Sequence, residues 1–212
     1  MPEAEFVFSV PRLATYLRVA QGDLDKSLEL YAWNAQVSAG LMLYANFAEV
    51  AVRNAVDDAL VSIYGAQWPW NSTFEQSLPA PKRGFSTRNE LINVRGQHPS
   101  TGKVIADLRF VFWEKMFTAR FDQRIWTPHI HRVFPGAGGY PVSQTRTDIH
   151  SDLWTVRQIR NRIAHHEPLL SVDLNALVAT LERLVSRRSP DTCAWLKTFE
   201  SATSLIAARP QA

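Results

Sequence analysis

The sequence predicts an all-α helical bundle, and three observations carry that prediction. Apolar residues return every three or four positions through most of the 212-residue chain. Ser, Thr or Asp stands ahead of several of these stretches, where a helix needs a side-chain acceptor for its first free N–H groups. Alternation of apolar and polar residues over the length of a strand is missing. With 46% apolar and 20% charged residues the chain has material for one sizeable core. Residues 1–212 therefore read as a single globular domain.

The elements follow in order. Ser9 and Pro11 start a helix through Leu13, Tyr16 and Leu17. Asp23 opens the next pattern at Leu24, Leu28, Leu30 and Tyr31, and from about Ser38 a further one runs through Leu41, Tyr44, Phe47, Val50, Val56 and Leu60 to Gly65. This region is expected to hold two or three helices. Residues 65–84, rich in Pro, Ser and Trp, read as a loop before a short helix near Thr87 to Val94. Ser100 or Thr101 caps a helix through Val104, Leu108, Phe112 and Phe117, and another spans roughly Arg120 to Val133. The Phe134 to Pro141 loop has glycines but no Gly-Lys-Ser/Thr ending, which argues against a phosphate-binding loop. A helix from Thr145 to His166 follows. Asp173 then precedes the stripe Leu174, Leu177, Val178, Leu181, Leu184 and Val185, and Ser189-Pro190 begins a last helix carrying Trp195, Phe199 and Leu205.

Composition narrows the function. One cysteine, Cys193, excludes an intramolecular disulfide and a Cys-rich zinc site. No basic segment followed by an apolar run opens the chain, and no apolar stretch reaches membrane-spanning length, so a cytoplasmic protein that uses no membrane is expected. His129 and His131 lack the neighbouring Cys or carboxylates of a metal site, and neither metal nor cofactor is expected. The net charge of +3 is uneven: residues 1–65 hold 4 basic and 8 acidic side chains (−4), and the rest 19 and 12 (+7). That asymmetry permits a basic face for nucleic acid. Lys82, Arg83, Arg88, Arg95 and Lys103, opposed by Glu90 alone, read as a solvated surface.

The segment with the richest chemistry runs from Arg157 to Pro168 and includes Arg160, Asn161, Arg162, His165, His166 and Glu167. At about 100° per residue, Arg157, Asn161 and His165 form one drifting stripe, whereas Arg160 lies about 140° around from His165. Pro168 biases Glu167 away from the helical region, which puts both histidines in the last turn. RNA cleavage without a metal needs a base for the ribose 2′-OH, a cation for the phosphorane and an acid for the leaving 5′-oxygen. Histidine titrates near neutral pH and arginine is a permanent bidentate phosphate donor. Read by type alone, the same arginines could instead be solvated or paired with Glu167, Asp148 and Asp152, with His165 capping the helix end.

Arg160-Asn161, three further residues and His165 resemble the signature of HEPN-domain ribonucleases, and the run Ile159 to Leu169 resembles the Abi-like (abortive infection) branch of that superfamily. Two more blocks support the likeness. Leu30-Tyr31-Ala32-Trp33-Asn34 with Phe47 to Ala55 is similar to the Tyr-x-Trp-Asn and Leu-Glu-Val-x-Leu-Arg-Asn segments of Abi-like proteins, and Leu108 to Trp113, Ile125 to Pro128 and Phe134-Pro135 form the other.

The resemblance implies a HEPN-type helical bundle with additional helices, usually a homodimer, that cuts RNA without a metal at a cleft where two Arg/His motifs meet. It implies Arg160 and His165 as the catalytic pair with Asn161 in support, and His166 is the alternative imidazole. Arg157, Arg162 and His166, and Glu49, Arg53 and Asn54 of the second block, are then substrate-binding or supporting residues. Glu49 and Arg53 also read as an ordinary i, i+4 salt bridge. The expected function is a toxin or antiphage effector, with an antitoxin as a possible partner. The alternatives are a non-catalytic HEPN module that binds RNA or a nucleotide, and a helical interaction subunit of a toxin-antitoxin pair.

Overall fold

Pro11, free of an N–H it would leave unpaired, sits in the first turn of α2 (Val10–Val19), which follows the short α1 (Glu3–Phe8). Asp23 then accepts a hydrogen bond from the Lys26 N–H at 3.1 Å and opens α3 (Leu24–Tyr64), a single helix of 41 residues. The computed structural model describes residues 3–211, with side chains from Phe6 onward, as twelve α-helices and no strand among the described residues. The all-α expectation is met.

The two or three helices expected between Asp23 and Gly65 are one. The apparent break near Ser38 and Gly40 is a packing feature. A Cβ at Gly40 would lie 3.1 Å from the Ala202 Cα, so the missing side chain lets α12 (Ala202–Ala207) approach the middle of α3. At 1.5 Å rise per residue α3 is about 60 Å long. Such a rod cannot bury its whole surface against one neighbour, and α2, α12, α10 (Leu174–Arg188), α9 (Val142–Ala164), α8 (Thr127–Val133) and α7 (Phe110–Lys115) all pack along it.

The 65–84 loop contains a 3-10 turn at Trp68–Trp70 and α4 (Ser72–Ser77), capped by the Asn71 side chain on the Phe74 N–H at 3.0 Å. α5 (Thr87–Arg95) is the short helix expected near Thr87 to Val94, and Ser86 caps it. Arg88 and Arg95 are not part of a solvated surface. Arg88 donates to the carbonyls of Glu75, Gln76 and Leu78, and Arg95 pairs with Glu75 and donates to the Pro69 carbonyl, so both tie α5 to the segment before it.

The helix expected from Ser100 to Phe117 is split into α6 (Thr101–Asp107) and α7 by extended backbone at Leu108 and Arg109. Glu90 explains the break. Its carboxylate accepts the Arg109 backbone N–H at 3.2 Å and grips the guanidinium, which removes that N–H from a helical ladder. The stretch from Arg120 is a π-helical turn at Asp122–Trp126 leading into α8, because Pro128 has no N–H to return to the Arg124 carbonyl. At the chain's end, the helix expected after Ser189 is likewise two, α11 (Pro190–Leu196) and α12.

The core follows the predicted apolar stripes and centres on Trp68, Trp113, Trp126, Phe112, Phe117 and Phe134. Each buried indole N–H finds an oxygen: Trp33 donates to the Leu205 carbonyl, Trp68 to Asp57, Trp113 to the Leu108 carbonyl and Trp126 to the Met116 carbonyl. A smaller apolar cluster of Tyr16, Ala20 and Leu30 joins α2 to the start of α3, with Leu170 packed on it. Among the described residues no helix is long and apolar enough to cross a membrane.

Candidate functional site

The segment that the sequence singles out is the end of α9. That helix stops at Ala164, two residues before the predicted boundary, with His165 as its C-cap. The His166 N–H bonds the Ile163 carbonyl at 2.9 Å and the Glu167 N–H bonds the Arg162 carbonyl at 2.8 Å. These paired bonds, with His166 left-handed at φ 55°, make the turn that helices usually close with glycine. Pro168 favours the stop, since the residue before it avoids helical geometry. Arg12 of α2 holds the turn from outside, donating to the His166 carbonyl at 2.5 Å.

Arg160 points toward the core side of α9. Its Nη2 lies 3.0 Å from Glu49 Oε2, and its guanidinium sits over the Phe110 ring at 5.1 Å from the centroid. Glu49 is buried and also pairs with Arg53, four residues along α3. One carboxylate thus holds two guanidinium groups, and residues from all three sequence blocks meet at this point. Arg160 Nε, buried, has no hydrogen-bond partner.

Asn161 and His165 are exposed. They lie seven and eleven residues beyond Trp154, within about 40° of it on an ideal helix, and Trp154 is itself 51% exposed. A polar and aromatic stripe therefore faces solvent, while Arg160 occupies the neighbouring face. Arg157 leaves the stripe to pair with Glu114, a carboxylate wholly buried in α7. Arg162 bends back to the Pro168 carbonyl at 2.6 Å and to Glu167 at 3.4 Å. Of the acids open to these arginines on the sequence, Glu167 alone is used. Asp148 and Asp152 are taken by Arg183 and Arg187.

Asn34 enters the site from α3. Buried, it accepts the Leu169 N–H at 2.7 Å and so fixes the chain just after Pro168. Tyr16, Asn34, Ser38 and His166 line a cavity of about 250 Å³ at this junction. Asn54 stands apart, exposed in a shallow groove with Val185 and Arg188. A larger cleft, about 650 Å³, lies along the first half of α9 and not at the end of the helix. Its charges, Asp152 with Arg183 and Arg187, already satisfy one another, so the smaller cavity is the better placed.

Sequence reasoning missed Trp154, Phe110, Asn34 and Tyr16 as parts of the site. Trp154 carried a readable signal, an aromatic residue on the same helical stripe as His165. Phe110, Asn34 and Tyr16 become neighbours only through tertiary packing. Chemically, the arrangement offers a solvent-facing imidazole, an amide beside it, and a braced guanidinium one face away. His129, weighed from the sequence together with His131, faces Arg132 at 3.5 Å, and burial and that arginine depress its pKa. Compared with protein-family models, curated proteins and solved structures, the chain matches none.

Proposed function

We propose that this protein is a metal-independent RNA endonuclease of the HEPN type, acting in the cytoplasm as a toxin or antiphage effector and working as a homodimer. The observation that carries this reading is the division at the end of α9. His165 and Asn161 stand on an exposed stripe, while Arg160 is set on the adjoining face by Glu49 and Phe110.

In the proposed reaction His165 takes the proton of a ribose 2′-OH. The 2′-oxygen forms a bond to phosphorus as the bond from phosphorus to the 5′-oxygen breaks, and a protonated imidazole returns a proton to that leaving oxygen. The products are a 2′,3′-cyclic phosphate and a free 5′-OH. Arginine stabilises the charge of the phosphorane. Two chains supply two imidazoles, one as base and one as acid, and set Arg160 of each beside the stripe of the other. Arg162, tied to the turn, orients it, and Arg157 anchors α9 to α7. An antitoxin that covers the exposed stripe is a natural restraint for such an enzyme.

A second reading, a non-catalytic module that binds RNA or a nucleotide, draws on one specific observation: Glu49 already shares the charge of Arg160 at 3.0 Å. One assay separates the two. Wild type incubated with total RNA in EDTA should yield fragments ending in 2′,3′-cyclic phosphate, and His165→Ala should lower the rate by about 10²-fold or more. Salt-sensitive RNA binding without fragments from a confirmed dimer favours the binding module.

A further inference from the structure

Several features of the molecule invite a second function. The 650 Å³ cleft is charge-balanced by its own ion pairs, and the exposed aromatic group of Phe47, Trp195 and Phe199 has nothing seated on it. The cavity beside the α9 turn is different, because one of its lining residues buries a polar group with nothing to bond. The Tyr16 hydroxyl is fully buried and has no hydrogen-bond partner, although the ring lines the cavity. A buried hydroxyl left without a partner costs about 1–3 kcal/mol, so an occupant that moves the wall side chains aside to reach it gains that bond. Burial keeps this phenol protonated, pushing its pKa up to about 12.

The wall chemistry identifies the occupant. Asn34, which lines the cavity, spends its carbonyl oxygen on the Leu169 N–H and keeps its amide group to donate. Ser38 and His166 also line it, Tyr31 and Met42 add flat and polarisable surface, and no carboxylate is among the lining residues. Such a site gives hydrogen bonds more readily than it takes them and has room for one planar ring system. A base drawn out of its stack is read in this way, between aromatic or apolar walls with hydrogen bonds to its edge.

We propose that this cavity receives a single unstacked nucleobase with a keto oxygen where cytosine and adenine carry an amino group, uracil or guanine, from an RNA strand bound at the α9 turn. The assignment rests on the RNA reading given above and adds to it the base that is selected. Asn34 donates to the keto oxygen, and the Tyr16 and Ser38 hydroxyls bond the remaining edge. His166, whose neighbour in the chain is His165, places the base next to the proposed reacting phosphate. A free nucleotide offers the same base, so the test carries both forms.

Binding to the full chain is measured by titration with uridine 3′-monophosphate, adenosine 3′-monophosphate, and 2′-O-methyl hexanucleotides holding one uracil or one adenine in a cytosine background. The uridine nucleotide and the uracil hexamer should each bind about five-fold more tightly than their adenine counterparts, the value of about one hydrogen bond. The uracil hexamer should bind more tightly than the mononucleotide. Tyr16→Phe, which removes a hydroxyl without a protein partner, should keep the wild-type Tm and lose the uracil preference. Ser38→Ala should weaken it in the same direction. Equal affinity for the two bases, or an unchanged preference in Tyr16→Phe, overturns the proposal. Binding of the mononucleotide but not the hexamer overturns its assignment to RNA. These probes cannot be cut, so a failure to cleave RNA and a failure to select a base are read separately.

Discussion

Arg160 and His165, five residues apart, do different jobs because they stand on different faces. The exposed His165 ring contributes little to packing, so His165→Ala should leave the urea midpoint within experimental error of wild type. Arg160→Ala should lower unfolding stability by about 1–3 kcal/mol, since it strips a partner from buried Glu49 and a cation from the Phe110 ring. Arg160→Lys should recover part of that loss. If Arg160→Ala unfolds no more easily than wild type, the brace is not energetically real. His166 separates from His165 by backbone alone. A left-handed conformation at φ 55° is strained for a side chain and free for glycine. His166→Gly should therefore raise stability by about 1 kcal/mol and, if His165 is the working imidazole, retain cleavage. A stable His166→Gly protein without cleavage would transfer the role to His166. The offset of Arg160 from His165 is legible in the sequence from helical geometry. The carboxylate that takes Arg160 is not, because Glu49 lies over a hundred positions away and only the packing of α3 on α9 joins them.

At the scale of elements, sequence pattern locates helices well and their interruptions poorly. The reason is visible at three junctions. The separate helix expected from about Ser38 is absent, and Gly40 beside it is a point of contact with Ala202, so Gly40→Val should cost about 1–3 kcal/mol by overpacking, with its thermal midpoint falling accordingly. Gly136 is a second case in a loop: a Cβ there would fall 2.2 Å from the Ser186 carbonyl oxygen, so its role is close approach to α10 and not phosphate binding. The opposite error occurs at Leu108 and Arg109, where nothing local breaks the helix and Glu90 does so from α5. Burial alone would raise the Glu90 pKa, but the hydrogen bonds and charge of Arg109 outweigh it and the carboxyl titrates below its ordinary 4.5. A depressed carboxylate adds stability that is present above its unfolded pKa and is lost as pH falls through the folded one. Thermal melts should therefore show wild type losing part of its advantage over Glu90→Gln as pH is lowered beneath 4.5. A difference between the two proteins that stays constant through that range would contradict the Glu90 junction as drawn.

For the whole molecule, the long α3 is what turns separate segments into a site. It brings Asn34 to the chain after Pro168 and Glu49 to Arg160, while α7 brings Phe110 to the same guanidinium and Glu114 to Arg157. The three blocks that carry the sequence resemblance thus close around one helix end. Asn54, from the second block, lies outside that group. Arg95, Arg183 and Arg187 are held in ion pairs and Arg88 by backbone carbonyls, so net charge is a poor guide to where a polyanion would bind. Trp154, Asn161 and His165 form an exposed stripe, and under the proposed function it is this stripe that RNA and a second chain meet. The most direct measurement incubates the purified protein with total RNA in EDTA, wild type beside His165→Ala. The account predicts fragments with 2′,3′-cyclic phosphate ends from wild type and a rate lower by about 10²-fold or more from the folded variant. Equal cleavage by the two proteins, or none by a wild-type dimer, would contradict it.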